Sequence, residues 1–177
     1  GKLFTKYKIT IDSKKPIKST GHMRTWSTKK PTELVVKSHI NLAVYDSGWE
    51  INSGQELERN KHVVSWVRND HIGFVIKYLY NGILHDYYPD FLIRLDNDVT
   101  LVLEVKGVDD NQNKEKRRYL EQWVDVVNED GNHGTWSWDV IFNPSELRNV
   151  IEKHSIQKIT AKITAKCPKC GKSSKDH

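Results

Sequence analysis

Two carboxylates and an ammonium stand where strand residues are normally apolar. In "YYPDFLIRLDNDVTLVLEVKG", residues 87–107, Asp90 opens one apolar run, and Glu104 and Lys106 sit within another. Phe91, Leu92, Ile93 and Leu95 form the first run, and Leu101, Val102, Leu103 and Val105 the second. The Asp96-Asn97-Asp98 stretch between them supplies a turn, so the segment predicts a β-hairpin. Side chains alternate along a strand, which puts Glu104 and Lys106 on one face and Leu103 and Val105 on the other. A hairpin folded in register brings the start of its first strand, where Asp90 lies, against the end of its second. Pro89 has no N–H to give a ladder, and suits the first position of a strand.

Buried charges are costly unless they are paired or bind a metal. Two carboxylates a few ångströms apart repel, and a divalent cation removes that repulsion. Mg²⁺ suits such a place, because it takes one or two carboxylates and fills its octahedron with waters and substrate phosphate; Mn²⁺ is the alternative ion. A lysine beside the pair can hold a water or offset charge on a phosphate. The chemistry these residue types point to is metal-dependent phosphodiester hydrolysis. The plainer alternative is a structural Glu–Lys pair on a half-exposed strand. The Pro-Asp at the partner position of the same hairpin weighs against it.

The segment "YYPDF…LVLEVKG" resembles the PD-(D/E)XK nuclease signature, with Pro89, Asp90, Glu104, Val105 and Lys106 at its positions. The flanking segments "KSHINLAVYDSGWE", "VVSWVRNDHIGFVIKYLYNGILHDYYPDFLIRL" and "EQWVDVVNEDGNHGTWSWDV" resemble the C-terminal nuclease domain of type III restriction endonuclease Res-like subunits, from about Met23 to about His154. The resemblance implies a restriction-endonuclease-like fold, an α/β architecture with a mixed β-sheet flanked by helices. It implies that Asp90 and Glu104 bind Mg²⁺ or Mn²⁺, and that a glutamate on a helix ahead of the signature joins them. It also implies double-stranded DNA as substrate, an ATP-driven helicase-like region of the same full-length protein, and a methyltransferase subunit as partner. No GxxxxGK[ST] occurs here, so the motor is expected elsewhere.

The elements that must position these residues are legible in outline. "HINLAVY" (39–45) reads as a strand, and Asp46 or Ser47 caps a helix to about Asn60. "HVVSWV" (62–67) is a short strand or a helical turn, "IGFVIKYLY" (72–80) a strand, and "NG" (81–82) a turn. After the signature hairpin, residues 111–129 form a helix with Leu120, Trp123, Val124 and Val127 on one face. "TWSWDVIF" (135–142) is a strand, and "PSELRNVIEKH" (144–154) a helix with proline in its first turn. The order β-α-β-β-β-α-β-α suits a mixed sheet with helices on both sides.

On the helix at 47–60, Glu50, Gly54 and Leu57 share a face. Leu57 should face the sheet, so Glu50 should too, and Gly54 would permit close approach. Glu50 is the expected third acidic residue of the catalytic and metal site. Glu56 is its rival, and a simple N-terminal glutamate favoured by the helix dipole is the structural alternative. Lys114, Lys116, Arg117 and Arg118 open the later helix, and either contact DNA backbone or form a solvated face. His85 reads as an exposed strand-end histidine rather than a general base. Trp66, Trp123, Trp136 and Trp138 read as core or half-buried aromatics.

Charge is unevenly spread over the 177 residues: residues 1–46 carry +7, residues 47–150 carry −7 and residues 151–177 carry +5. Basic flanks around an acidic middle suit phosphate contacts at the edges and a cation at the centre, though solvated tails would look the same. We therefore expect a basic N-terminal arm (1–37), a nuclease domain (38–154) and a basic tail (155–177). The chain begins with Gly, as expected of an excised domain or the end of a longer protein. No apolar run of membrane-spanning length occurs, no signal peptide is visible, and Cys167 and Cys170 are too few for a disulfide framework; the expected location is the cytoplasm. Those cysteines form "CPKCG", half of a zinc ribbon. A complete zinc site would need two more ligands, with only His154 and His177 nearby, so zinc is not expected. Two other functions stay open: a nuclease of repair or mobile-element defence, and a non-cleaving DNA-binding module.

Overall fold

A computed structural model describes residues 9–10 and 20–164. The elements in chain order are β1 (Thr32–Leu34), β2 (Leu42–Val44), α1 (Gly48–Arg59), β3 (Val63–Arg68), β4 (Ile76–Tyr80), β5 (Ile83–Tyr87), β6 (Phe91–Leu95), β7 (Val99–Val105), α2 (Asn111–Asp130), β8 (Thr135–Ile141) and α3 (Leu147–Thr164). Single 3₁₀ turns lie at Thr20–His22 and Pro144–Glu146. The protein is mixed α/β.

The central sheet has the order β3-β6-β7-β8. The first two pairings are antiparallel and the last is parallel. The chemistry of the sequence explains this order. Asp96 and Asn97 turn β6 directly into β7, with Asn97 Oδ1 accepting the Val99 N–H at 3.1 Å and Asp98 in the left-handed region at φ 64°. A parallel neighbour needs a crossover, and α2 supplies it. Asp110 caps its start by accepting the Asn113 N–H at 2.6 Å, and Gly131, at φ 71°, ends it.

Alternation along β6 and β7 splits the core into two layers. Phe91, Ile93, Leu95, Leu101 and Leu103 face α1 and α3, where they meet Leu57, Leu147 and Ile151. Val102 faces α2 and the β4–β5 hairpin, together with Ile76, Tyr78, Tyr87, Tyr119, Leu120 and Val124. Trp66 is buried in the first layer, and its indole N–H donates to Glu58 Oε1 at 2.7 Å, which satisfies the one polar atom it carries inward. Trp123, Trp136 and Trp138 are partly buried against the second layer.

Several elements differ from the sequence reading. The strand expected at 39–45 shortens to Leu42–Val44 and pairs with β1 in a separate two-stranded sheet. Residues before it instead run beside β3: the His39 N–H donates to Trp66 O, and the Trp66 N–H to Lys37 O, both at 3.0 Å. The segment expected as an arm (1–37) thus supplies β1, and its Lys37 N–H is held by Glu58 Oε1 at 3.0 Å. A short strand that the sequence suggests near Leu3–Ile9, within that arm, falls almost wholly outside the described residues. The "NG" turn joins β4 to β5, which the reading did not assign. Asn81 and Gly82 both have positive φ (50° and 78°), the two-residue turn that matches strand twist. The helix expected to end at His154 continues to Thr164, because neither Gly nor Pro interrupts it.

Candidate active site

Asp90 sits just ahead of β6, where the Asn69 N–H donates to its carbonyl at 2.8 Å. Its Oδ2 accepts the Val105 N–H at 2.7 Å. The last antiparallel pair of the hairpin is Phe91 with Leu103, so Asp90 reaches one step beyond the ladder to the end of β7. The register inferred from the sequence is the register found, and it brings Asp90, Glu104 and Lys106 together.

Glu104 is only 2 % exposed. It lies on the Val102 face of β7, opposite Leu103 and Val105. One carboxylate oxygen, Oε1, pairs with Lys106 Nζ. The other, Oε2, accepts from the Tyr87 hydroxyl at 2.8 Å. Burial, and then the Glu104 charge, push the Asp90 carboxyl up to about 7. Burial works against the Lys106 ammonium, but Glu104 and then Asp90 outweigh it and hold its pKa above the ordinary lysine value. Burial and the neighbouring Glu104 carboxylate raise the Tyr87 phenol far above its usual range.

Such a pair is a fit for a hard divalent cation. Both groups offer carboxylate oxygens, Asp90 Oδ1 accepts no hydrogen bond from a described residue, and a cation offsets both the burial and the Glu104 charge that raise the Asp90 pKa. Asp90 and Glu104 are the residues that would hold it. Among the described residues no group of three or more His, Cys, Asp or Glu side chains gathers closely enough to hold an ion. A small carboxylate count leaves most of the shell to water and phosphate, as Mg²⁺ accepts.

Glu50 turns inward, as its shared face with Gly54 and Leu57 predicts. Leu57 is fully buried, and a Cβ at Gly54 would lie 2.2 Å from the Tyr45 hydroxyl oxygen, so this face does pack closely. Ser47 is the cap, accepting the Glu50 N–H at 3.3 Å. Glu50 Oε2 in turn accepts the Asp46 N–H at 2.8 Å and pairs with Arg68 Nη2 at 3.0 Å. Burial raises the Glu50 pKa, and Asp90 adds to the rise against the Asp46 N–H and Arg68. Glu50 therefore lies within the field of Asp90 while its carboxylate is held by Arg68 and the helix start. Glu56 turns elsewhere and forms a double contact with Arg148 at 3.0 and 3.1 Å.

The basic start of α2 divides. Lys116 Nζ lies 5.8 Å from the Tyr87 ring centre and forms no ion pair with a described residue. Arg117 feels both Tyr87 and Glu104, but Asp109 holds its guanidinium at 2.7 and 2.8 Å. Arg118 pairs with Glu115 and lies over the Tyr119 ring. Lys114 is in the field of Asp109. His85 is not an exposed strand-end residue as expected: it lies in the middle of β5, half-buried, and stacks on Tyr78 with ring centres 5.4 Å apart. His154 is buried and pairs with Asp139 at 2.9 Å. Cys167, Cys170 and His177 lie outside the described residues.

Two residues of this neighbourhood escaped the sequence reading. The sequence reading assigns Tyr87 no role, and only the placing of β5 near β7 aims its hydroxyl at Glu104. Arg68 ends β3 and gathers Asp46, Glu50 and Asp70, with contacts of 3.0 Å to Glu50 and 3.1 Å to Asp70. Asp70 is two residues on in the chain, but Asp46 and Glu50 flank the start of α1, which no local spacing ties to Arg68. Cavities of about 780 Å³ (walled by Phe74, Trp123 and Trp136) and about 550 Å³ (between α1 and α3) include none of Asp90, Glu104 and Lys106.

Fold and site together define a mixed α/β domain with an acid–acid–lysine cluster at the end of a strand pair. The chain matches no family model, no curated protein and no solved structure. Among the described residues no helix is long and apolar enough to cross a membrane.

Proposed function

We propose that this chain is a Mg²⁺-dependent (or Mn²⁺-dependent) endonuclease domain of the restriction-endonuclease-like fold, hydrolysing phosphodiester bonds of double-stranded DNA. The observation that carries the reading is the meeting of Asp90, Glu104 and Lys106 at one end of the β6–β7 hairpin, with the Asp90 carboxyl raised to about 7. The sheet order, with α1 and α3 on one face and α2 on the other, is compatible with that fold. In this reading Asp90 and Glu104 hold the ion. When bound, it polarises a phosphate oxygen and lowers the pKa of a bound water. Lys106 Nζ donates to the attacking water or offsets the growing charge on the phosphate. Glu50 adds negative potential from α1 and keeps Arg68 in place beside Asp90. Lys116, with no carboxylate partner among the described residues, and Arg117 meet the DNA backbone next to the scissile bond.

The resemblance to type III Res-like subunits adds the rest of the proposal: a helicase-like motor in the same full-length protein, a methyltransferase partner and a cytoplasmic location. A second reading, a DNA-binding module that does not cut, draws on the fact that Lys106 and Tyr87 already satisfy both Glu104 oxygens. Plasmid cleavage separates the two. Alanine at Asp90, Glu104 or Lys106 should lower the rate by about a hundredfold or more, and EDTA should match the variants. Near-normal cleavage by Glu104→Ala would remove the catalytic assignment.

A further inference from the structure

We infer that Tyr87 is a positioning residue of this site: its hydroxyl fixes the Glu104 carboxylate in the orientation that receives a divalent cation. This rests on the metal-site reading above. The hydroxyl donates to Glu104 Oε2 at 2.8 Å, and the ring has little freedom to withdraw. Tyr87 is 3 % exposed, pairs with Ile76 at the base of the β4–β5 hairpin, and packs with Tyr78, Val102, Tyr119 and Leu120. Lys116 covers its outer face.

Glu104 has two oxygens and two donors. Lys106 takes Oε1 and Tyr87 takes Oε2, on opposite sides of the carboxylate. Held at both ends, the group cannot turn about its terminal bond, and its remaining lone pairs stay committed to one direction. Without the hydroxyl, Oε2 is a buried acceptor with nothing to accept from. The simplest repair is for the carboxylate to rotate and offer both oxygens to Lys106. That closes the lysine and the glutamate on each other and withdraws both from the ion and the water. Groups that orient a metal-binding side chain from behind typically change metal affinity about 10–100-fold when removed.

The test uses Mn²⁺ as probe and the full chain, with binding followed by the electron spin resonance of free Mn²⁺. Tyr87→Phe keeps the ring and removes the oxygen. Tyr78→Phe is the control: its hydroxyl also sits in the same apolar layer but accepts from Gln112 Nε2 at 2.6 Å and does not touch Glu104. Tyr87→Phe should raise the Mn²⁺ dissociation constant about tenfold or more, with the KM for DNA little changed, and Tyr78→Phe should change it less than about twofold. The double variant Tyr87→Phe/Glu104→Gln should bind no worse than Glu104→Gln alone, since the hydroxyl acts only through that carboxylate. Thermal melts show whether each variant folds. If wild type and Tyr87→Phe bind Mn²⁺ alike while Glu104→Gln does not bind, the metal site stands and the role of Tyr87 is refuted. The same holds if Tyr87→Phe weakens binding further in the Glu104→Gln background. If wild type binds no Mn²⁺, or Glu104→Gln binds it normally, the metal-site reading fails and the inference falls with it.

Discussion

Asp90→Asn should make the metal-free protein more stable, by an amount that grows from about pH 4 and is full above about pH 7. In the absence of a cation, burial and the Glu104 charge raise the Asp90 carboxyl from an ordinary 3.8 to about 7. At about 1.36 kcal/mol per pKa unit the full shift is worth roughly 4 kcal/mol. Asp90 is only partly covered, so solvent screening reduces this to about 2 kcal/mol. The folded state binds the Asp90 proton more tightly than the unfolded state does. Its contribution is therefore complete below about pH 4 and is lost as the pH rises through about 7. Asparagine cannot ionise, and its side-chain oxygen can still accept the Val105 N–H. In EDTA at pH 8 the variant should melt higher by roughly 4–8 °C, the shift about 2 kcal/mol gives a chain of this size. The two curves should converge towards pH 4. Taking the difference between wild type and variant cancels the histidines that titrate in the same range. Saturating Mg²⁺ should reverse the order: an ion at a hundred times its dissociation constant stabilises the wild type by about 2.7 kcal/mol, and the variant gains little. Melts followed by circular dichroism from pH 4.5 to 8.5, with EDTA or Mg²⁺, check this. Equal melting temperatures in EDTA at pH 8, with no pH dependence in their difference, would refute the picture of two carboxylates held in mutual repulsion.

Further outcomes separate the remaining residues. Glu50→Gln should raise the Mg²⁺ concentration needed for half-maximal cleavage, because it removes charge beside Asp90 and loosens Arg68; Glu56→Gln should lose only its contact with Arg148 and cleave normally. Cleavage rate against Mg²⁺ concentration measures both, and the reverse pattern would reassign the acidic residue on α1. Lys116→Gln should weaken DNA binding for all sequences and flatten the logarithmic salt dependence by about one unit, whereas Arg118→Gln, whose guanidinium is already paired with Glu115, should change it little. Filter binding at graded salt reads both slopes.

The pairing that makes the site was legible in the sequence because it is local. Asp90 and Glu104 are fourteen residues apart on one hairpin, and a period-two pattern with an Asp/Asn turn leaves a single register that buries Leu101 and Leu103. The inward face of α1 was legible for the same reason: helical spacing ties Glu50 to Leu57 without reference to anything else. Helix α2 was also plain, since Leu120, Trp123, Val124 and Val127 repeat at helical spacing, and so was the strand that follows it.

Tertiary structure decided what depends on contacts distant in sequence. The strand β1 has three residues, too short for a periodic signal, and exists because it pairs with β2. The hydroxyl of Tyr87 finds Glu104 only because the β4–β5 hairpin packs beside α2 and β7. Arg68 meets Asp46 and Glu50 at the distant start of α1, and Lys116 is set apart from Arg118 by what each side of α2 meets. Sequence fixes which side chains share a face, because chain geometry repeats every two or 3.6 residues. Which face meets which is set by how the layers pack, and there the ion pairs, the hydrogen bonds and the raised acidity constant of Asp90 arise.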